Sequence, residues 1–159
     1  MNYRIGLGYD VHRFKEGLEL SLGGIKIPHS KTCVAHSDGD VLIHAICDAL
    51  LGAANLRDIG YHFPDTDHKY KNIDSKILLQ KTNELLIQNG YKIGNIDSVV
   101  CLQEPKLKNY IPEMQKILAE TLTIEKNQIS IKATTSETLG FEGRQEGISV
   151  QAIALIWSL

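Results

Sequence analysis

No stretch of this 159-residue chain is long and apolar enough to cross a bilayer. The opening MNYRIGLGYD also lacks the charged leader and apolar run of an export signal. A cytoplasmic protein, with no membrane partner, is the simplest expectation. Charge of one sign is missing too: 17 basic against 19 acidic residues leave a formal net charge of −2. That balance offers no general attraction to nucleic acid or to anionic lipid, so basic residues that matter must act locally. The three cysteines, Cys33, Cys47 and Cys101, form no CxxC pair and sit in apolar contexts, which excludes a disulfide framework and predicts reduced, buried thiols. Internal repeats, low-complexity tracts and linkers are absent, and 43% of residues are hydrophobic, enough for one core. A single domain over residues 1–159 is expected.

What is present is an alternation of strand and helix signals. Residues 2–9 read as a strand, and 20–28 as a short strand or hairpin arm around Gly23-Gly24. AHSDGDVLIHAICDALLGAA (35–54) supplies a first helix, with Ser37 and Asp40 spaced like a capping box and Gly52 weakening its end. Residues 74–88 repeat apolar side chains at helical spacing and stop at Asn89-Gly90. Strand 96–102, helix 111–122, strand 128–134 and a last strand 147–157 complete the order. Three main helices with four or five strands predict an α+β, ferredoxin-like two-layer sandwich: a mixed sheet with its helices on one face. In the last strand Ile148, Val150, Ala152, Ala154 and Ile156 point one way and Ile153, Leu155 and Trp157 the other, so both faces are apolar. If helices cover one face, a partner subunit is the expected cover of the other.

The first helix, apolar almost all round, nevertheless carries Asp40, His44 and Asp48 four residues apart, a polar stripe on a cylinder built for burial. Unpaired buried carboxylates cost on the order of several kcal/mol each unless a cation or donor faces them. In GYDVHRF, Asp10 and His12 project from the same face of an extended chain. Joined by His44, they would offer three ligands with a fourth position open, the pattern of a catalytic zinc, and Asp40 and Asp48 would either orient the His44 imidazole or serve only the helix end and packing. The plainer reading takes the same residues as caps and satisfied polar groups. Spacing alone does not bring Asp10 and His12 to His44, so both readings stand at this level.

Three further segments carry candidate chemistry. In KATTSETLGFEGR (132–144), Thr134, Thr135, Ser136 and Glu137 form a hydroxyl-rich turn suited to an anion or to a hard cation such as magnesium, or simply a helix cap. DIGYHFPDTD (58–67) is a Gly/Pro/Asp-rich loop, either a binding lid or a connection. LQEPKLK (102–108) ends a strand with Lys106 and Lys108, which either meet a phosphate or are solvated.

In order and spacing, GYDVHRF, AHSDGDVLIHAICDALLGAA, DIGYHFPDTD, LQEPKLK and KATTSETLGFEGRQEGI closely resemble the motifs of the 2-C-methyl-D-erythritol 2,4-cyclodiphosphate synthase family, from about residue 3 to the C-terminus. The resemblance implies a homotrimer of α+β subunits with active sites at the interfaces, acting in the non-mevalonate route to isoprenoid precursors. It implies a lyase that takes 4-diphosphocytidyl-2-C-methyl-D-erythritol 2-phosphate, lets the 2-phosphate attack the β-phosphate, and releases CMP. Zinc would be held by Asp10, His12 and His44, and a second divalent ion, Mg2+ or Mn2+, by Glu137 between the phosphates. His36 and Thr135 match transition-state stabilisers, with Val11 in the Asp10-His12 motif and Ser37 beside the reacting phosphate. Asp58, Ile59, Gly60, Phe63, Pro64, Asp65, Thr66 and Asp67 would hold the methylerythritol part. Leu102, Gln103, Glu104, Pro105, Lys106, Leu107 and Lys108, with Ala133, Thr134, Thr135 and the adjoining Ser136, would form a cytidine pocket for the neighbouring subunit. Phe141 and Arg144 match substrate-proximal positions, and Arg144 with Glu146 a polar ring near the trimer axis.

Thr138 and Glu104 depart from the family's usual Lys or Gly and small residue, and neither change is expected to abolish activity if backbone groups hold the base. Leu107 and Lys108 fall at variable positions. The expectation is also that this chain lacks the cytidylyltransferase domain fused to some relatives. Rival readings are a zinc-dependent phosphohydrolase using water as nucleophile, and a non-catalytic trimeric metal- or nucleotide-binding protein.

Overall fold

The computed structural model describes residues 2–158; Met1 and Leu159, the ends of the expected domain, lie outside the described residues. The first strand, β1 (Asn2–Glu16), runs well past the expected 2–9. It is followed by β2 (Glu19–Leu22), β3 (Ile25–Pro28) and the short β4 (Lys31–Cys33), which sequence patterning missed. Gly23 and Gly24 have φ of 61° and 80°, so the two-residue β2–β3 hairpin turns where two positive-φ positions are required and only glycine meets no penalty. Then come α1 (Val41–Ala53), the single-turn α2 (Ile59–His62), α3 (Ser75–Gln88) and β5 (Tyr91–Cys101). The chain closes with α4 (Ile111–Leu122), β6 (Ile129–Thr134), a short α5 (Gly140–Gly143) and β7 (Gly147–Ser158).

Five strands form one sheet in the order β4-β1-β7-β5-β6, in which β5 and β6 are parallel and the other neighbours antiparallel. The expected α+β class, mixed sheet and two layers are observed. The connection order is not the β-α-β-β-α-β of ferredoxin-like folds: only the single-turn α5 separates the last two strands, and β7 enters the middle of the sheet between β1 and β5. β7 can take that central place because both its faces are apolar and it pairs along its whole length with β1.

The helix-covered face buries Ile148, Val150, Ala152, Ala154 and Ile156 of β7 with Ile96 and Val100 of β5 and Ile129 and Ile131 of β6. Among the described residues no helix covers the opposite face. Tyr3, Ile5, Leu7, Tyr9 and Val11 of β1 and Ile153 of β7 are 44–73% exposed there, an apolar array rather than scattered single residues.

Helix α1 lies at the centre of the covered layer, and Leu42, Ile43, Ile46 and Leu50 lose all contact with solvent. Each such burial is worth about 1.5–3 kcal/mol. Its approach to β1 is unusually close because small residues meet. A Cβ on Gly8 would lie 1.9 Å from the Ala45 carbonyl oxygen, and one on Gly6 2.0 Å from that of Ala49. Among the described residues no helix is long and apolar enough to cross a membrane.

Candidate active site

Gly6, Gly8, Asp10 and His12 occupy alternate positions of β1 and so share its helix-facing side. The close seam that seats α1 on the two glycines therefore carries His44, the residue before Ala45, to the level of Asp10. Asp10 Oδ2 stands 3.2 Å from His44 Nδ1 and 3.2 Å from His12 Nδ1. One donor atom from each of the three residues lies within 4.8 Å of the others, the one such group of His, Cys, Asp or Glu among the described residues. Burial pushes the Asp10 carboxyl upward, but the His12 and His44 imidazoles override it and hold it below the ordinary carboxylate range. Burial lowers His44, and its bond to Asp10 overrides that in turn and raises it.

The cluster fits a divalent cation on its own chemistry. Two imidazoles and a carboxylate are the donor set of zinc-type sites, and His12 Nδ1 is buried with no aligned hydrogen-bond partner despite its nearness to Asp10. The opposite ring nitrogen of His44, Nε2, lies 3.0 Å from Ser75 Oγ and 3.2 Å from Ser37 Oγ.

His12 and His44 open on a cavity of about 400 Å³ whose other walls include His36, Ser37, Ile59, Gly60, Phe63 and Asp65. Two expected segments thus meet at the cluster. His36 Nε2 is buried there without a partner. Asp58 accepts from the Tyr61 N–H at 3.2 Å and so starts α2, while Asp67 accepts from Lys69 N–H at 3.1 Å and starts a short 3-10 turn. Between them Pro64 accepts the Asp67 N–H, and Asp65 and Thr66 are exposed. Ala35, Tyr70, Ile73 and Leu78 line the same cavity and were not anticipated. Tyr70 stacks edge-on against Phe63 with centroids 5.6 Å apart, a contact no local spacing announces.

Two expected roles need correction. Asp40 and Asp48 do not touch the His44 imidazole. Asp40, fully buried, accepts from Gly23 N–H, Gly24 N–H and Ile43 N–H at 2.9, 2.7 and 3.0 Å, so it caps α1 and ties the hairpin turn to it. The expected capping box starting at Ser37 is therefore replaced by Asp40 itself. Asp48 accepts from Ile59 N–H at 2.7 Å and anchors the 58–67 loop to α1.

The remaining candidates lie elsewhere on the chain. Val11 pairs with Ser149, Ser149 with Cys101, and Cys101 with Thr134, so the end of β6 is three strand steps, about 14 Å, from β1. The 102–108 and 133–137 segments meet each other there, through Leu102 N–H donating to the Thr134 carbonyl at 3.0 Å. They do not line the His44 cavity. Leu102 and Leu107 are buried core residues, whereas Glu104, Lys106, Lys108, Ala133, Thr134 and Glu137 are exposed and Gln103, Pro105, Thr135 and Ser136 half-buried. Thr135 Oγ1 donates to Glu137 Oε1 at 3.0 Å, and Glu137 and Thr138 both have positive φ, 54° and 66°. Phe141 lines a second hollow of about 390 Å³ with Val11, His12, Arg13 and Glu146. Arg144 makes two 3.0 Å bonds to Glu146 at the surface.

With this geometry in hand, comparison with known proteins is decisive: residues 3–157 match the YgbB family. The chain belongs to the YgbB family. A 2-C-methyl-D-erythritol 2,4-cyclodiphosphate synthase of Bacteroides fragilis is 62% identical over 156 residues, covering 98% of each chain. Among solved structures, the bifunctional IspDF from Campylobacter jejuni superposes with a TM-score of 0.95 at 44% identity, over 99% of this chain and 43% of that longer one. An IspF of Plasmodium falciparum in complex with CDP superposes with a TM-score of 0.86 at 38% identity, over 98% of this chain and 96% of that one. The likeness read from five motifs extends over residues 3–157.

Proposed function

We propose that this YgbB-family chain is a phosphorus-oxygen lyase that cyclises 4-diphosphocytidyl-2-C-methyl-D-erythritol 2-phosphate to 2-C-methyl-D-erythritol 2,4-cyclodiphosphate with release of CMP, a step toward isoprenoid precursors by the non-mevalonate route. The observation that carries this reading is the Asp10–His12–His44 cluster at the mouth of a cavity walled by His36, Ser37 and the 58–67 loop, in a chain 62% identical to a synthase of that name.

Asp10, His12 and His44 would hold Zn2+, and Glu137 a second divalent cation, Mg2+ or Mn2+. Bound there, such ions supply neutralisation of the charge on the diphosphate. The chemistry asked of the side chains is modest. An ionised 2-phosphate oxygen is already a competent nucleophile; it forms a new P–O bond to the β-phosphorus as the bond to CMP breaks, and no side-chain base is required. Because the attack is already intramolecular in the substrate, the protein has only to hold the 2-phosphate oxygen in line with the β-phosphorus. Ile59, Gly60, Phe63 and Asp65 fix the methylerythritol end, and His36 and Thr135 donate to the phosphate oxygens where charge grows.

The proposed assembly is a homotrimer around the sheet faces, with CDP-derived substrate held between subunits. Its support is the exposed apolar face of β1 and β7, and the separation of the 102–108 and 133–137 segments from the His44 cavity. A neighbouring chain would then supply the cytidine pocket. The proposed location is the cytoplasm.

Phosphorus NMR of purified protein incubated with the diphosphocytidyl substrate, zinc and magnesium tests the reading. CMP and a cyclic diphosphate are expected, and the signals should vanish for His44→Ala. A linear 2,4-bisphosphate, the product of water attack at the β-phosphorus, would instead identify a hydrolase, and no CMP release from the parent would sink both.

A further inference from the structure

The geometry points to Ser75 and Asp38 as positioning residues that hold the proton of His44 on Nε2 and so keep Nδ1 free to bind a divalent cation. The inference rests on the reading of Asp10, His12 and His44 as a metal site.

It follows from counting donors. Ser75, the first residue of α3, is fully buried. Its hydroxyl donates to Asp38 Oδ1 at 2.5 Å, and its backbone N–H donates to Asp38 Oδ2 at 3.0 Å. Asp38 is itself fixed: its backbone N–H donates to the Ile73 carbonyl at 3.1 Å, and its Oδ1 also accepts from Asp40 N–H at 3.2 Å. A serine hydroxyl carries one proton, and this one is committed to the carboxylate. Toward His44 Nε2, 3.0 Å away, Ser75 Oγ can therefore only accept. Nε2 is therefore the donor in that contact, and with the neutral ring's one proton held there the lone pair is left on Nδ1, the atom 3.2 Å from Asp10 Oδ2, which competes for the same proton. Ser37 Oγ, 3.2 Å from the same Nε2, has no carboxylate to commit its proton, so it accommodates either tautomer and decides neither. Without the Asp38–Ser75 pair the Asp10 carboxylate would favour a proton on Nδ1, the position a cation needs empty. Metal-bound histidines generally owe their orientation to such a partner on the far nitrogen, and its loss weakens metal binding by about 10- to 100-fold.

Two measurements decide it. In metal-free parent protein carrying nitrogen-15 histidine, long-range proton–nitrogen spectra at a pH where His44 is neutral should show hydrogen on Nε2; hydrogen on Nδ1 overturns the inference, whatever the variants do. Zinc affinity by chelator competition should fall about 10- to 100-fold in Ser75→Ala and Asp38→Asn and stay near the parent in Ser75→Thr, which keeps the hydroxyl. Asp38→Asn has an additional signature. Its amide would donate to Ser75 Oγ, turn the hydroxyl toward His44 and move the ring proton to Nδ1, which simple loss of packing would not do. Affinities of both variants within twofold of the parent overturn the inference. Failure of the metal reading itself looks different: the parent binds no zinc, or Asp10→Ala binds it as tightly as the parent.

Discussion

Replacing Gly8 with alanine tests whether the closeness of α1 to β1 is what assembles the Asp10–His12–His44 cluster. The new Cβ would lie 1.9 Å from the Ala45 carbonyl oxygen and 2.7 Å from the Ala49 nitrogen, both backbone atoms of a helix buried on nearly every side. A contact of at least 3.0 Å requires α1 to retreat from β1 by about 1.1 Å. Side chains cannot absorb this by changing rotamer, so the cost falls at the upper end of overpacking, about 3 kcal/mol. His44 travels with the helix while Asp10 stays with the strand, and their 3.2 Å separation opens. A displacement of about 1 Å in positioned groups costs on the order of 100-fold, so zinc affinity and cyclisation should fall by about that factor. Urea unfolding of metal-free protein measures the first effect and chelator competition the second. Gly6→Ala, which meets Ala49 O at 2.0 Å but lies one strand repeat further from Asp10, should destabilise comparably and weaken zinc less. The reasoning is refuted if Gly8→Ala unfolds within about 0.5 kcal/mol of the parent, the range of an ordinary surface change. It is equally refuted if the variant is destabilised as expected yet binds zinc as the parent does.

Gly52→Ala, on the exposed side of α1 with the nearest atom 3.9 Å from a built Cβ, should stabilise the protein by about 0.5–1 kcal/mol in urea; a loss of stability would contradict the open geometry. Asp40→Ala strands the Gly23, Gly24 and Ile43 N–H groups and should cost about 3 kcal/mol while zinc affinity stays within about threefold; a loss like that of Ser75→Ala would return Asp40 to the metal site. Burial pushes the Cys47 thiol from 9.0 up to about 12, so between those values the folded state keeps a proton the unfolded state has lost. Stability should therefore fall as pH rises from 9 toward 12, by up to about 4 kcal/mol from this group, and urea midpoints of Cys47→Ala should fall less; parallel slopes would rule that out. Leu7→Asp, on the bare sheet face where Leu7 is 66% exposed, should leave the secondary structure by circular dichroism unchanged, reduce the mass by light scattering to that of one chain, and abolish CMP release. An active monomer would refute the interface reading.

The helices and the long strands were legible because each repeats apolar residues at one clear period. β4, α2 and α5 were not, being too short for a period to register. The stripe Asp40–His44–Asp48 was visible for the same reason, but spacing along a helix says only which Cβ atoms are neighbours. Where the carboxylates turn is decided by distant backbone donors, Gly23 and Gly24 for Asp40 and Ile59 for Asp48. Ser75 was hidden behind Asp74, which reads as an ordinary helix start, and its partner His44 is 31 residues away. A usable signal did exist for the step that spacing left open. Gly6 and Gly8 at strand period face Ala45, Ala49 and Ala53 at helical period, a small-residue seam on both elements that predicts their close approach and with it the meeting of Asp10 and His44.

Strand β1 divides its work by the parity of its positions. Gly6, Gly8, Asp10 and His12 face the helix layer, where glycines admit α1 and the next two residues meet His44. Tyr3, Ile5, Leu7, Tyr9 and Val11 face the bare side, where the proposed neighbouring subunit packs. Because successive side chains of a strand point to opposite faces, any shift in register or twist of β1 moves both sets together. Val11 stands between the two candidate ligands Asp10 and His12 and lines the same hollow as Phe141. In the proposed trimer, subunit contact and metal geometry would therefore be held by one rigid element. On this arrangement, assembly does more than add stability: it fixes the strand from its outer face while α1 fixes it from the inner one. In the proposed trimer the groups on β6, about 14 Å across the sheet, would serve a neighbour's cavity rather than their own, which is the arrangement a closed ring of head-to-tail contacts would produce.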